Sequence, residues 1–303
     1  MKYLGGKNIL GKEISQVLSS FPRKNINGYL EPFCGALGVL KRMSSEFKNC
    51  EASDIHCDLI KLWEEVKNNS FNPPKTMTEE KYYKIKKMKS PSALKAFVGF
   101  GCAFGGKYFA SYAQKYTNGK KENYLQAAKN SINKLRPLIQ NIKFKCISYD
   151  KLNPKNKLIY CDPPYISKKF NIKYRNGIKK YDDFDTEKFW NIMREWSKKS
   201  NNNIVIISEL TAPKDFKCIW KKKKHRSIAQ SKKTRYKNKN TKKYNIEKLF
   251  IHKSLLKTTL NLSILFKSKK QKTKKKKTKK QKTKKKKTKK QKTKKQKRKK
   301  NKK

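Results

Sequence analysis

Asp162-Pro163-Pro164-Tyr165 is the stretch of this sequence whose residue types are best suited to chemistry. The Asp162 carboxylate and the Pro163 carbonyl are two hydrogen-bond acceptors held in fixed directions, because adjacent prolines stiffen the backbone. Two such acceptors can take the hydrogens of an aromatic amine, such as the 6-amino group of adenine, and stabilise the positive charge that develops on its nitrogen during alkylation. Tyr165 can stack on a base that has left its duplex. Taken alone, the four residues also fit an ordinary turn.

The elements around this motif predict a strand, a helix and a second strand. The apolar runs 157–161 and 204–208 are typical of buried parallel strands. Between them, Phe189, Trp190, Met193 and Trp196 recur at helical spacing. Asp162 then lies at the carboxyl end of a strand, where open α/β sheets bind ligands.

A second strand, loop and helix lie earlier in the chain. Residues 28–33 predict a strand ending in a glycine-bearing loop, and a helix is expected from Val39 to Phe47. Within Glu31-Pro32-Phe33-Cys34-Gly35-Ala36-Leu37-Gly38, the glycines let the backbone approach a cofactor, and the helix N-terminus offers free N–H groups. Asp54, about 23 residues after Glu31 and at the end of the next predicted strand, has the position and charge to bind ribose hydroxyls. It could equally cap a helix.

The composition indicates a polyanionic partner. The net charge is +61, and residues 267–303 contain 25 lysines and one arginine, which leaves +35 on residues 1–266. A basic body suggests that the folded surface itself meets nucleic acid, with a genome-wide bias toward lysine as the alternative. The tail has no acidic or apolar residue, so we expect it to be disordered. It would add salt-sensitive affinity for DNA or act as a nuclear-localisation-like address.

The seven cysteines show no paired C-x-x-C spacing, and the three histidines complete no zinc pattern. We therefore expect reduced thiols in an intracellular compartment, and no metal. No signal peptide is expected at the start, and the apolar run 260–266 is too short to span a bilayer. These features predict a soluble protein.

Several motifs, taken in order, resemble the Dam-like class of DNA adenine-(N6) methyltransferases, in the variety found in phages and large DNA viruses. The resemblance covers residues 1 to 252, and the cofactor motif comes first, followed by a target-recognition domain and the Asp-Pro-Pro-Tyr motif. The matching stretches are Tyr3-Leu4-Gly5-Gly6-Lys7, Glu31 to Gly38, Ser53 to Ile60, Cys161 to Tyr165 and Glu247-Lys248-Leu249-Phe250.

The resemblance implies an α/β fold, in which a Rossmann-like methyltransferase sheet ends in a C-terminal antiparallel hairpin. The hairpin is expected at 220–228 and 241–252. The methyltransferase domain would comprise residues 1–62 and 141–252, with a mostly helical target-recognition domain inserted at 63–140. Residues 253–303 would form a linker and the disordered lysine-rich tail.

The resemblance also implies the site residues and a site-specific transfer of a methyl group from S-adenosylmethionine to a flipped-out adenine, without a metal. Asp162, Pro163 and Tyr165 are the catalytic candidates. Lys7 is expected near the cofactor carboxylate and Asp54 at its ribose. The cofactor-binding candidates are Tyr3, Lys7, Glu31, Phe33, Gly35, Asp54 and Asp162.

Two departures from the class stand out. Leu37 occupies a position where many relatives have a glycine, so the cofactor loop is expected to follow a different path. Glu209 follows the strand-final Ser208, where Dam itself has an asparagine. The recognised site is therefore not assumed to be GATC.

Double-stranded DNA is the implied partner of a monomer, and a cognate restriction endonuclease is a further candidate. The segment 96–109 resembles the one that relatives place against DNA, which makes Lys107 and Tyr108 candidates for contact, although its aromatic residues equally fit a core. Arg226 ends a basic loop at 221–226 that binds DNA or is a solvated hairpin. The nucleus or a viral replication site of a host cell is the expected place of action.

Two other functions remain open at this point. A catalytically decayed methyltransferase scaffold would act as a DNA-binding protein through its basic body and tail. An enzyme for another methyl acceptor, RNA or a protein amide, would be expected to have asparagine at the position of Asp162.

Overall fold

The computed structural model describes residues 1–114, 116–117, 120–164, 184–225 and 244–256. In this part of the chain, seven strands form one mixed sheet and two short strands form a separate hairpin. The sheet contains β1 (Gly28–Glu31), β2 (Cys50–Asp54), β5 (Ile142–Cys146), β6 (Lys157–Cys161), β7 (Ile204–Ser208), β8 (Phe216–His225) and β9 (Tyr244–His252), and the short hairpin contains β3 (Tyr116–Thr117) and β4 (Lys120–Lys121).

In the described part of the chain, the α-helices precede β1 or lie between two strands in the sequence. They are α1 (Gly11–Leu18), α2 (Leu40–Met43), α3 (Cys57–Lys67), α4 (Glu79–Lys86), α5 (Ala93–Gly101), α6 (Tyr124–Leu135) and α7 (Thr186–Trp196). Within the described residues, no helix is both long and apolar enough to cross a bilayer.

The order of the strands fixes where a ligand can bind. The sheet runs β5-β2-β1-β6-β7-β9-β8, and every pair from β5 to β7 is parallel. From β1 the chain continues to β2 and β5 on one side, and then returns to the other side with β6 and β7. The order therefore reverses between β1 and β6, and the crevice beyond their carboxyl ends is the binding position of an open α/β sheet.

The two apolar strands and the helix between them form the core predicted from their spacing. The α7 residues Phe189, Trp190, Met193 and Trp196 are all buried, in one cluster with Ile159, Cys161, Val205 and Ile207. Asp185 caps the helix by accepting a hydrogen bond from the Lys188 N–H at 2.9 Å. Sheet and helix thus hold the end of β6, where Asp162 follows, in a rigid setting.

The C-terminal hairpin is confirmed as an antiparallel pair, and β9 joins it to the parallel part through β7. Its first strand begins at Phe216, earlier than the predicted Trp220. The pairing of this strand with β9 continues across an irregularity between Cys218 and Trp220. The predicted helix 39–47 is shorter, since α2 gives way to a 3₁₀ turn over Ser44–Glu46. Residues 226–228 and 241–243 of the predicted hairpin lie outside the described residues.

The segment between β2 and β5 is largely helical in its described part, as expected of an insertion. However, α3 runs across the predicted boundary after residue 62 and packs on α5. Met1–Leu256 form one compact unit. The division into two domains stays a prediction, and its first boundary would have to move beyond Lys67 to leave α3 intact.

The prediction of reduced thiols is wrong for two cysteines, because a disulfide joins Cys57 to Cys146 with their Cα atoms 5.1 Å apart. Cys146 is the last residue of β5 and pairs in register with Asp54, three residues before Cys57. Since 89 residues separate the two cysteines, local spacing gave no sign of the bond. Parallel pairing of β2 with β5 brings them together.

Candidate active site

A cavity opens at the switch point between β1 and β6. Its walls come from the N-terminal segment, the loop after β1, the end of β2 and the Asp-Pro-Pro segment after β6. The predicted cofactor and catalytic residues that line it are Tyr3, Lys7, Glu31, Phe33, Gly35, Asp54, Asp162 and Pro163. The structure therefore brings together all the predicted residues of these two classes except Tyr165, which lies outside the described residues.

The loop after β1 is fixed from three sides. Gly35 has a φ of +44°, and its carbonyl accepts a hydrogen bond from the Trp63 indole at 2.9 Å. A Cβ on Gly35 would come within 3.3 Å of the Tyr3 ring, and one on Gly38 within 3.0 Å of the Lys7 backbone. These glycines are required because the N-terminal segment packs directly on the loop.

Leu37 takes the left-handed conformation that glycine favours, with a φ of +57°. A leucine there is strained by about 1–2 kcal/mol. Its side chain is completely buried, and that burial offsets the strain. The departure from glycine at this position is thus accommodated by packing.

Asp54 ties the end of β2 to this loop. Its Oδ2 accepts a hydrogen bond from the Gly35 N–H at 3.0 Å, and its Oδ1 accepts one from the His56 N–H at the same distance. The residue is only 5% exposed and lines the cavity. A carboxylate oxygen can accept more than one hydrogen bond, so both oxygens can also receive ligand hydroxyls.

Lys7 is buried between two carboxylates. Its Nζ lies 3.0 Å from Asp162 Oδ1 and 2.9 Å from Glu247 Oε1. Burial lowers the pKa of Lys7, but Asp162 and Glu247 outweigh it and raise this pKa above its ordinary value. Lys7 is therefore a charged ammonium already matched by protein carboxylates.

Glu31 is a buried carboxyl at the end of β1. Burial raises the pKa of Glu31 well above its ordinary value, the Tyr29 hydroxyl opposes this by donating to Oε1 at 2.6 Å, and the charge of Asp162 adds to the rise. Burial thus favours the neutral form of the Glu31 carboxyl when no ligand is present. A cationic ligand group would favour ionisation of Glu31.

A second cavity shares Phe33, Asp54 and Pro164 with the first. Its further walls include Tyr149 and Asp150, which follow β5 in a 3₁₀ turn. Asp150 Oδ2 accepts a hydrogen bond from Lys188 at 2.6 Å, and this contact lowers the pKa of Asp150. Neither residue was predicted from the sequence, because the strand before them, β5, was not predicted. Apolar residues alternating with Lys143 and Lys145 would have indicated an edge strand.

The residues present suit S-adenosylmethionine. Carboxyl groups at Glu31 and Asp54 match an ammonium and ribose hydroxyls. Phe33 and Tyr149, whose ring centres lie 5.0 Å apart, pack on each other at a tilt and form one aromatic wall for a planar base. The positive φ of Gly35 lets the backbone approach a ligand where a side chain would intervene. Among the described residues, no group of three His, Cys, Asp or Glu side chains could hold a metal ion.

The two described candidates for DNA contact lie outside this cavity, on the loop after α5. The Tyr108 hydroxyl donates to Asp58, and its ring packs on Phe100. Tyr108 is thus engaged within the protein, which favours the core alternative for this residue. Lys107 is partly exposed, and contact between DNA and Lys107 stays a prediction. Arg226 lies outside the described residues.

The loop containing Lys107 is attached to the cavity wall. The Leu4 N–H donates to the Gly106 carbonyl at 2.9 Å, and Gly106, with a φ of +69°, leaves no room for a Cβ beside Lys2. The segment that resembles a DNA-facing element therefore lies next to the Tyr3 to Lys7 stretch.

Comparison with known proteins agrees with this geometry. No curated protein matches the sequence closely enough to count as a relative. A family model, that of the D12 class N6 adenine-specific DNA methyltransferases, matches residues 3–243. This match spans every residue that lines either cavity, and Glu247 lies beyond it. The chain belongs to the D12 class of N6 adenine-specific DNA methyltransferases, which methylate adenine in DNA with S-adenosylmethionine as the methyl donor.

Proposed function

We propose that Asp162 and Pro163 activate the 6-amino group of a flipped-out adenine for methylation. The single observation that carries the proposal is the location of Asp162, which lines the cavity at the switch point with one carboxylate oxygen held by Lys7 at 3.0 Å. Lys7 fixes the orientation of the carboxylate, and the Asp162 carboxylate accepts one amino hydrogen. The Pro163 carbonyl, also at the cavity wall, accepts the other hydrogen.

S-adenosylmethionine supplies an activated methyl group when bound. The protein contributes orientation and electrostatics, because acceptors that are already aligned stabilise the positive charge that develops on the amine nitrogen. An adenine inside a duplex cannot bring its amino group to a cavity beyond the sheet edge, so the base must leave the stack. Tyr165, which follows Pro164 in the sequence, is proposed to stack on that base.

Cofactor binding is assigned to the other residues of the two cavities. Asp54 receives the ribose hydroxyls and Glu31 meets the cationic amino group, while Tyr3 and Phe33 supply apolar contact. The adenine of the cofactor is assigned to the second cavity, against the aromatic wall that Phe33 and Tyr149 form. The resemblance predicts that Lys7 also contacts the cofactor carboxylate. Two protein carboxylates already contact this ammonium, so we assign Lys7 primarily to Asp162.

Duplex DNA is proposed to approach over the loop containing Lys107 and the basic sequence segment 221–226. The basic body supports this, since a net +35 on residues 1–266 attracts a polyanion. Action as a monomer, a phage or viral origin, a partner restriction endonuclease and a nuclear or viral site of action stay predictions. The decayed scaffold gains no support, because Asp162, Asp54 and Lys7 line one cavity.

The test is transfer of labelled methyl from S-adenosylmethionine to DNA, followed by sequencing with modified-base detection. We expect 6-methyladenine within one recurrent sequence context. Asp162→Asn keeps the shape of the side chain and removes its charge, and should lower the rate on the order of a hundredfold or more while DNA binding persists. Asp215→Asn, which removes a surface partner of Arg194 outside both cavities, is the matched control. Near-normal turnover by the Asp162 variant would refute the mechanism.

A further inference from the structure

The closing motif Glu247-Lys248-Leu249-Phe250 has no part in the proposed reaction, although its first residue lies one contact away from Asp162. Strand β9 carries Glu247 and pairs antiparallel with β7, where Leu249 is opposite Ser208. This pairing directs the Glu247 carboxylate, only 8% exposed, against the Lys7 ammonium at 2.9 Å. The same ammonium contacts Asp162 at 3.0 Å.

The contact between Glu247 and Lys7 is itself held in place. Ser208, which is fully buried, donates from Oγ to Glu247 Oε1 at 2.6 Å, and Oε1 is also the atom that faces Lys7. One carboxylate oxygen thus has two fixed donors from two different elements. Such an arrangement leaves the Lys7 ammonium little freedom to turn away from Asp162.

The three charges of this cluster do not cancel. With both carboxylates ionised, Asp162, Glu247 and Lys7 together carry one net negative charge, in a place where Lys7 is only 5% exposed and screening by water is weak. A simple pair of Lys7 with Asp162 would be neutral. Methyl transfer puts positive charge on the amine nitrogen beside Asp162, so a net negative cluster stabilises the transition state more than a neutral pair does.

We propose that Glu247 is a positioning residue for methyl transfer, which shares the Lys7 ammonium with Asp162 and so keeps the acceptor oriented and its surroundings negative. This inference rests on the proposed function of Asp162. Glu247 lines neither cavity, and the Lys7 ammonium lies between its carboxylate and that of Asp162.

The charged groups around Lys7 give the inference a signature in pH. Asp162 faces Lys7 from the end of β6, Glu247 from β9 and Glu209 from the end of β7. Burial lowers the pKa of Lys7, and the two contacting carboxylates reverse this effect. In Glu247→Gln, Asp162 is the contacting carboxylate that still stabilises the Lys7 ammonium. The pKa of Lys7 therefore falls, and its proton is lost at lower pH.

The experiment measures single-turnover methyl transfer from pH 6 to 9.5 with the full chain, tritiated S-adenosylmethionine and duplex DNA containing adenine. Glu247→Gln keeps the shape and removes the charge, and Ser208→Ala keeps the charge and removes the hydrogen bond. Lys7→Met and the double variant with Glu247→Gln complete a cycle. Cofactor Kd by calorimetry and unfolding temperature are recorded for each protein.

We expect Glu247→Gln to lower the plateau rate on the order of tenfold to a hundredfold, less than the loss of a direct contact. Its rate should decline toward pH 9.5, whereas the wild-type rate should stay level there because the pKa of Lys7 lies above its ordinary value. Cofactor Kd should change less than threefold. Ser208→Ala should lose less activity and, like the wild type, show a level rate up to pH 9.5. In the Lys7→Met background, Glu247→Gln should cause no further loss, because the residue through which it acts is gone.

Two results would overturn the inference. One is an unchanged rate and pH profile in Glu247→Gln, and the other is an equal loss in the presence and absence of Lys7. If the wild-type chain transfers no methyl group to adenine, the proposed function itself fails. The role of Glu247 is then decided by unfolding temperatures, where strictly additive losses for Lys7→Met and Glu247→Gln contradict the contact.

Discussion

Asp54 Oδ2 accepts a hydrogen bond from the Gly35 N–H at 3.0 Å, so the acidic residue proposed to hold the ribose also fixes the loop that approaches the cofactor. The other oxygen of Asp54 is anchored by the His56 N–H at the start of α3. The carboxylate is therefore oriented before any ligand arrives. Orientation in advance lowers the entropy that binding must lose.

The first prediction concerns cofactor affinity. Asp54→Ala removes both the ribose acceptor and the tie to Gly35, and we expect the Kd for S-adenosylmethionine to rise about tenfold to a hundredfold, since a hydrogen bond to a charged group contributes about 1.5–3 kcal/mol. Asp54→Asn keeps one acceptor oxygen and should lose less. Calorimetry measures both, with Asp215→Asn as the control. An unchanged Kd in a folded Asp54→Ala protein would remove Asp54 from the cofactor site.

A second prediction separates strain from burial at Leu37. Leu37→Ala should reduce the free energy of unfolding by about 2–5 kcal/mol, because it empties a fully buried site and leaves the strained φ of +57° in place. Leu37→Gly loses the same packing but relieves the strain. We therefore expect the glycine variant to be no less stable than the alanine variant in denaturant titrations.

At an ordinary position, glycine is the less stable of the two by about 0.5–1 kcal/mol. Gly99, a helical residue whose added Cβ would lie 2.6 Å from the Tyr108 ring, shows the opposite case of a glycine required by space. If Leu37→Gly proves less stable than Leu37→Ala, the left-handed conformation at this position is not a source of strain.

How much of the site was predictable depends on how local its determinants are. Glu31, Asp54 and Asp162 each follow or end a predicted strand, and parallel strands bring their carboxyl ends to one edge, so these residues could be placed together from sequence alone. Asp150 could not be placed in this way. It follows the edge strand β5, in which apolar residues alternate with lysines, and this strand was not predicted from the sequence.

The contact of Lys7 with Glu247 is the least local feature of the site. It depends on the register of β9 against β7, with Ser208 opposite Leu249, and 240 positions of sequence separate the two residues. A one-residue slip would turn Glu247 to the other face of the sheet. Only the folded chain fixes that register. The same reason hid the pairing of Cys57 with Cys146, which depends on β2 lying beside β5.

A third prediction follows from Glu209. Burial is the largest cause of the rise in its pKa from 4.5 to about 7, and the charges of Asp162 and Glu247 add to it. Between pH 4.5 and about 7 the folded chain holds a proton at Glu209 that the unfolded chain has lost. The contribution of Glu209 to stability is therefore fully present below pH 4.5 and is lost as the pH rises through about 7.

Glu209→Gln removes this dependence, because the amide stays neutral at every pH. Relative to the wild type, the variant should gain stability between pH 5 and 8, by at most about 3 kcal/mol in the free energy of unfolding. Denaturant titrations at the two pH values measure the gain, and Glu64→Gln on the exposed side of α3 is the control. A constant difference between Glu209→Gln and the wild type would show that the folded chain binds no extra proton there.

The last prediction concerns the disulfide between Cys57 and Cys146. It closes a loop of 89 residues, and a loop of that size corresponds to a stabilisation of about 4 to 5 kcal/mol as an upper value. Cys146→Ser should lower the unfolding temperature in the absence of reductant. Reductant should lower the unfolding temperature of the wild type and leave that of Cys146→Ser unchanged.

Cys218→Ser is the matched control, because Cys218 is an exposed free thiol on the edge strand β8. This variant should respond to reductant as the wild type does. Because Cys57 begins the helix that follows Asp54, reduction should also weaken cofactor binding, measured as a rise in Kd. A wild-type unfolding temperature that is insensitive to reductant and equal to that of Cys146→Ser would mean that the bond contributes nothing to stability.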